Sequence, residues 1–323
     1  ILAEPQRTNL VTYSEDFTQW NKSSASLINT ITSTVISPDG VSYANKLYPI
    51  GAGSNAYIRQ TIAGDCFSMF IKKGERKWIL IYGGFANSNV WFDSENGVLG
   101  TVRSEATATV ESFGNDWYRI KILWTQNSTQ VRIYNVDGDN SLVSTGNETD
   151  GLYIWGAQLE GSYATSYIPT SGSTVTRNQD IFTRDGIGSL INSTEGTFFV
   201  EMARQEGDTA TGIISLNNGT ATQTVALYYY STGTIAFDIL SSSPNISGTS
   251  SPYNTYNFNK IALKYKSGDI SLWVNGVEVV TKTNTFSLLP LTNISFDYGS
   301  GANKFFGKVK QLQVYDTALT DEQ

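Results

Sequence analysis

Hydrophobic residues along this chain fall in short alternating runs. In Trp117-Tyr118-Arg119-Ile120-Lys121-Ile122-Leu123-Trp124, an extended backbone places Tyr118, Ile120, Ile122 and Trp124 on one face and Arg119 and Lys121 on the other. A period of two is the signature of a strand with one buried face. The same reading fits residues 56–62, 78–82, 130–134 and 152–159. Turn clusters such as Ser37-Pro38-Asp39-Gly40 and Val136-Asp137-Gly138-Asp139-Asn140 separate the runs, because Pro, Gly and Asx residues supply the backbone angles and local hydrogen bonds of tight turns. No helix-period pattern of useful length is present.

After residue 160 the texture changes. Tyr167-Ile168-Pro169-Thr170-Ser171-Gly172-Ser173 is small, polar and broken by Pro and Gly, which predicts an ordered crossover or linker. A second strand series follows at 196–202, 225–230, 234–239 and 260–265, and then a hairpin over 270–279 whose turn is Asn275-Gly276. That dipeptide accepts the positive φ angles of a type I′ turn. A length of 323 residues is enough for two cores. The expectation is therefore an all-β chain of two antiparallel β-sandwich (jelly-roll) domains in tandem, residues 1–178 and 179–323.

Composition narrows the function. Only 16% of residues are charged, the net charge is −7, and Lys and Arg form no run, which argues against nucleic acid or an anionic membrane surface as partner. No apolar stretch approaches the roughly 20 residues of a membrane span. The opening Ile1-Leu2-Ala3-Glu4-Pro5 is not a signal peptide, and Thr320-Asp321-Glu322-Gln323 has the capping-box pattern that opens a helix, so both ends read as cut from something longer. Cys66 is the single cysteine, so no intrachain disulfide forms, and its strand setting reads as a small buried hydrophobe.

The chain has no histidine, which removes the commonest general base and every Ser-His or Cys-His device. A glycosidase needs only two carboxylates roughly 5 to 10 Å apart. Glu201, Asp238, Asp269 and Glu278 each stand alone among polar neighbours, without the Glu-x-Asp-x-x-Glu spacing that such folds use. Binding without catalysis is the expected activity.

Four separated blocks resemble a known module: residues 4–17 (Glu-Pro-Gln-Arg-Thr-Asn-Leu-Val-Thr-Tyr-Ser-Glu-Asp-Phe), Asp116-Trp117-Tyr118-Arg119, residues 151–160 (Gly-Leu-Tyr-Ile-Trp-Gly-Ala-Gln-Leu-Glu), and Tyr167-Ile168-Pro169-Thr170. Together they resemble a jelly-roll module of bacteriophage tail-fibre and other virion surface proteins. That module is similar in outline to calcium-containing jelly-roll carbohydrate-binding modules of secreted polysaccharide-degrading enzymes. Through Lys260-Ile261-Ala262-Leu263-Lys264-Tyr265, Leu272-Trp273-Val274-Asn275-Gly276 and residues 306–322, the second half resembles the concanavalin A-like, laminin-G-like lectin fold.

These resemblances imply a virion-surface or otherwise extracellular segment that attaches to host surface polysaccharide, with homotrimerisation, if any, carried by flanking sequence. Two rivals are carbohydrate-binding appendages of a polysaccharide-degrading enzyme and a purely structural virion decoration. Structural Ca2+ is also implied, although Trp155-Gly156-Ala157 stands where such modules often carry an aspartate. Asp137 and Asp139, with Asn140, have the oxygen ligands calcium takes; as ordinary turn formers they would look the same.

Sugar sites pair an exposed aromatic with amide or carboxylate hydrogen bonders. Trp91, flanked by Asn89 and Asp93, fits that description, and Trp78 after Lys73-Gly74-Glu75-Arg76-Lys77 is a second stacking candidate. In Tyr228-Tyr229-Tyr230 the central ring must oppose its neighbours, which makes Tyr229 a candidate, together with the loop residues Tyr253 and Tyr256. Trp117, Trp124, Trp155 and Trp273 read as core.

Overall fold

A computed structural model of the chain describes residues 1–23, 28–241 and 244–320. The helix start expected over Thr320–Gln323 falls on 321–323, outside the described residues. The chain divides into an N-terminal unit, Gln6–Asn178, and a C-terminal unit, Gln179–Gln323 joined by Ile1–Pro5. The first five residues, expected with the N-terminal domain, belong to the other unit because Leu2–Ala3 pair with Lys308 and Gly307 along a sheet edge.

Each unit is a sandwich of two six-stranded antiparallel sheets. In the N-terminal unit, sheet I runs Val98–Val102, Val90–Asp93, Trp78–Tyr82, Val131–Val136, Tyr57–Gln60 and Asn21–Lys22. Sheet II runs Ala106–Ser112, Trp117–Trp124, Cys66–Lys72, Leu152–Glu160, Tyr43–Pro49 and Ile28–Ile36. Between them lies a core that includes Ile58, Phe67, Met69, Ile79, Ile81, Phe92, Ile120, Ile122, Trp124 and Ile133, the inward positions that alternation selects.

Sheet III, in the C-terminal unit, runs Leu2–Ala3, Gly307–Tyr315, Glu195–Arg204, Asn259–Lys266, Asp269–Val274 and Val277–Lys282. Sheet IV runs Thr183–Arg184, Asn293–Ser295, Gly212–Asn217, Thr224–Tyr229, Thr234–Leu240 and Ile246–Pro252. Their shared core holds Phe198, Val200, Leu227, Tyr229, Phe237, Leu263, Tyr265, Leu272 and Phe305. Asn275 (φ 52) and Gly276 (φ 84) form the expected hairpin turn, with both central residues in the left-handed region.

The strand Trp117–Trp124 keeps its predicted inward face, but Arg119 is not solvated: it is 6% exposed, and its guanidinium donates to Ser68 Oγ (2.9 Å) and the Thr165 carbonyl (2.7 Å). The reason is the crossover after residue 160, which lies over the outer face of sheet II. Tyr167 packs there on Phe70 and Trp155, and its hydroxyl bonds Ser14 and Glu15.

Asn9 holds this arrangement together. Fully buried, it donates to the Ala157 and Ile168 carbonyls (3.1 and 2.8 Å) and accepts from the Val11 and Leu159 amides (3.0 and 3.1 Å). One amide side chain thereby satisfies backbone groups from the opening segment, the last strand and the crossover, groups that burial would otherwise leave unpaired.

Cys66 is 3% exposed. Burial, reinforced by Glu160 and Asp65, pushes its thiol up to about 12. The nucleophile is the thiolate, so the group stays protonated and inert until strongly alkaline pH.

Two outcomes follow from this packing. Asn9→Ala should destabilise the N-terminal unit by about 2–4 kcal/mol through its orphaned partners, read as a lowered urea midpoint in tryptophan fluorescence. That signal reports this unit because six of the seven tryptophans lie in it. Iodoacetamide at mildly alkaline pH should leave Cys66 of the native chain unlabelled and modify it fully in denaturant; rapid native labelling would contradict the burial.

Candidate functional site

The outer face of sheet III carries a groove of about 470 Å³. One cross-strand row forms its floor: Gln313, Phe199, Ala262 and Trp273 stand in register on adjacent strands, and Glu278 continues the row beyond the groove. The row above it is Tyr315, Thr197, Lys264 and Ser271, and below it lie Gln311, Glu201 and Lys260. Alternation explains the layout, since Ile270, Leu272 and Val274 turn inward and leave Ser271 and Trp273 outward.

Ala262 makes this surface a trough, because a methyl sits between two aromatic rings. The Trp273 indole is fixed by its N–H donating to Ser271 Oγ (3.0 Å), and the Tyr315 hydroxyl donates to Gln313 (2.7 Å). Leu319 and Thr320 add to the lining, with the Leu319 amide donating to Thr197 Oγ1 (3.0 Å). Trp273 and Phe199 are half-buried and Lys260 is exposed. The arrangement offers flat apolar surface ringed by amide, hydroxyl and ammonium groups.

Trp273 thus corrects its reading as core, whereas Trp117, Trp124 and Trp155 are buried at 2, 2 and 3% exposure. Its signal was in the sequence: with Ile270, Leu272 and Val274 inward, Trp273 has the opposite parity. Phe199 was legible the same way, between the inward Phe198 and Val200.

Most of the residues singled out from sequence lie elsewhere, in both units. Trp91, expected as an exposed platform, is 2% exposed; its N–H donates to the Ser141 carbonyl (2.8 Å) under the turn that follows Asp137. Asn89 is half-buried, and its carbonyl accepts from the Arg103 amide. Asp93 is a turn former. Burial would raise its carboxyl, but hydrogen bonds from Asn96, the Glu95 amide and Lys77 outweigh that and hold it below the usual range.

Trp78 is half-buried and borders a second cleft, of about 540 Å³, beside Arg76, Lys77, Glu95 and Asp137. The charges there pair off. Arg76 bonds Asp137, Lys73 bonds Glu95, Lys77 meets Glu95 at 2.9 Å, and Lys46 meets Glu75 at 2.8 Å. Lys73 and then Lys77 hold the Glu95 carboxyl down at about 2.

Asp137 and Asp139 do not fit a calcium site. Asp137 faces a guanidinium and accepts from the Thr145 amide and hydroxyl (2.8 and 2.7 Å); Asp139 accepts from the Thr101 amide and hydroxyl (2.7 and 3.0 Å). Among the described residues no three Asp, Glu, Cys or His side chains gather in a group that could hold a metal ion.

Tyr229 is fully buried in the core, its hydroxyl donating to the Met202 carbonyl (2.7 Å), so it offers no binding surface. Its neighbours turn outward: Tyr228 and Tyr230 pack edge to face 5.0 Å apart on sheet IV, and Tyr228 and Tyr298 both donate to Asp238. Tyr253 packs partly into the core, while Tyr256 is 45% exposed, its hydroxyl reaching the Asp208 carbonyl at 3.4 Å. None of these candidates lines the sheet III groove.

Comparison with known proteins bears on the C-terminal unit. No curated protein matches the chain. Similar solved structures include the CBM40 module of a Ruminococcus gnavus IT-sialidase, at 19% identity over 42% of this chain and 82% of that one, TM-score 0.36. A native heptameric SAP-like pentraxin from Limulus polyphemus is similar at 17% identity over 40% and 66%, TM-score 0.33. Domains LG4-5 of the mouse laminin alpha1 chain are similar at 11% identity over 83% and 89%, TM-score 0.32. Residues 177–323, which contain the sheet III groove, match the family model of the concanavalin A-like lectin/glucanases superfamily.

Proposed function

We propose that the chain is a carbohydrate-binding protein whose C-terminal unit holds a saccharide in the sheet III groove without transforming it. The observation that carries this reading is the row Gln313, Phe199, Ala262, Trp273: two rings flank a methyl-wide trough with an amide at its edge. Sugar rings present apolar C–H faces that settle on aromatic surface and hydroxyls that need donors and acceptors around it. The superfamily match over the same residues supports the lectin side of the reading.

Catalysis is the weaker fit. The nearest carboxylates have structural partners: Glu201 accepts from Lys310 (3.1 Å) and Glu278 from Thr281 (2.6 Å). With no histidine in the chain, no residue is poised to relay a proton through an imidazole. We extend the reading, on the sequence resemblance alone, to attachment of a phage tail fibre or related virion appendage to host polysaccharide. Weak single sites would then gain firmness from several copies.

A glycan array probed with a multimerised form of the chain tests the proposal. Neutral oligosaccharide hits should weaken at least tenfold, about 1.4 kcal/mol, in Trp273→Ala. They should weaken comparably in Ala262→Leu, which keeps both rings and fills the trough. Hits unchanged in both variants, or a blank array from the folded multimer, would remove the groove from the account.

A further inference from the structure

On the outer face of sheet I, Arg59 and Arg132 stand directly opposite each other on paired strands. Tyr57, Tyr82 and Tyr134 share that face, in register with them. The Arg132 guanidinium lies 4.5 Å from the Tyr57 ring centre and 5.1 Å from that of Tyr82, so the two rings brace it. One of its terminal nitrogens reaches the Tyr134 hydroxyl at 3.5 Å, and its Nε is buried with no hydrogen-bond partner. Arg59 donates to the Gln130 side chain (3.2 Å).

Like charges directly opposite across a sheet destabilise it. In the neighbouring cleft Arg76, Lys73 and Lys77 each have a carboxylate. Among the described residues neither Arg59 nor Arg132 forms an ion pair, although acidic residues outnumber basic ones in the chain, 29 to 22. Two unneutralised guanidinium groups held on a rigid sheet are a receptor for a planar anion, since each fork matches a carboxylate with paired N–H donors. All four flanking side chains, Tyr57, Arg59, Tyr82 and Arg132, are half-buried rather than covered.

We propose that this face is a second saccharide site, specific for acidic sugars of the uronic acid class. The sugar carboxylate bridges Arg59 and Arg132, and its hydroxyls meet the Tyr57 and Tyr82 hydroxyls, which have no hydrogen-bond partner among the described residues. That the anion is a sugar rests on the carbohydrate reading above; that the site takes an anion rests on the arginine pair alone.

Titration calorimetry on the whole chain at low salt tests it, with trigalacturonate, the matching neutral galactose trimer and inorganic phosphate as probes. Trigalacturonate should bind at least tenfold more tightly than the neutral trimer. Arg132→Gln and Arg59→Gln should each abolish that preference while keeping the native circular dichroism spectrum. Trp273→Ala, which reports on the sheet III groove, should leave the preference for trigalacturonate over the neutral trimer in place, so failure of one site does not mask the other. Equal binding of the neutral trimer, unchanged affinity in both arginine variants, or phosphate binding as tightly as trigalacturonate would overturn the assignment.

Discussion

A strand can bury only every second side chain, and the surfaces of this protein follow from that constraint. Four sheets face inward on two cores, so the chain also presents four outer faces, and its chemistry is written on them. The outer face of sheet II is covered by the protein's own crossover, which seals Phe70, Trp117 and Trp155 into a secondary cluster with Ala44. The remaining outer faces stay partly open and differ in character. Sheet III has aromatic rings beside amides and ammonium groups, sheet I has a pair of arginines of which Arg132 is braced by tyrosines, and sheet IV has tyrosines gathered on Asp238.

Such faces have the makings of a saccharide platform. A sheet face is rigid and shallow; it holds flat aromatic surface and hydrogen bonders at spacings set by the strand separation, and it does not exclude water. Several carboxylates serve local structure, as with Asp93 in its turn, Asp137 on Arg76 and Glu160, which accepts from Gln158 and Thr165. Against that pattern of paired charge, Arg59 and Arg132 face each other across sheet I, and among the described residues neither has a carboxylate partner.

The two-layer construction also explains how the sequence blocks in the N-terminal unit relate to one another. Asn9, Gln158 and Tyr167-Ile168-Pro169-Thr170 are far apart in the chain yet meet where the crossover returns over sheet II. There Asn9 bonds the Ile168 carbonyl and Gln158 accepts from the Ile168 amide at 2.7 Å. These residues are a polar clasp for irregular backbone that no ladder can satisfy. A resemblance carried by such residues reports the fold and says nothing of the ligand.

Period and turn chemistry were local properties, so the all-β class, most central strands and the Asn275-Gly276 hairpin were legible from sequence. Two edge strands were not: Ile28–Ile36 is rich in Thr and Ser, partly exposed on both faces and without apolar alternation, and Ala106–Ser112 turns only the small residues Ala106, Ala108 and Val110 toward the core. Parity also marked Trp273 and Phe199 as outward, yet their value lay in Ala262 between them, a neighbour across strands and not along the chain. Trp91 had the composition of a binding platform and lost it to a turn fifty residues away. Arg59 and Arg132 were unremarkable until pairing set them face to face. The chain by itself determined which side of each strand a residue occupies. Only the tertiary structure decided which outward residues meet, and which are covered, because strand register and loop cover are long-range.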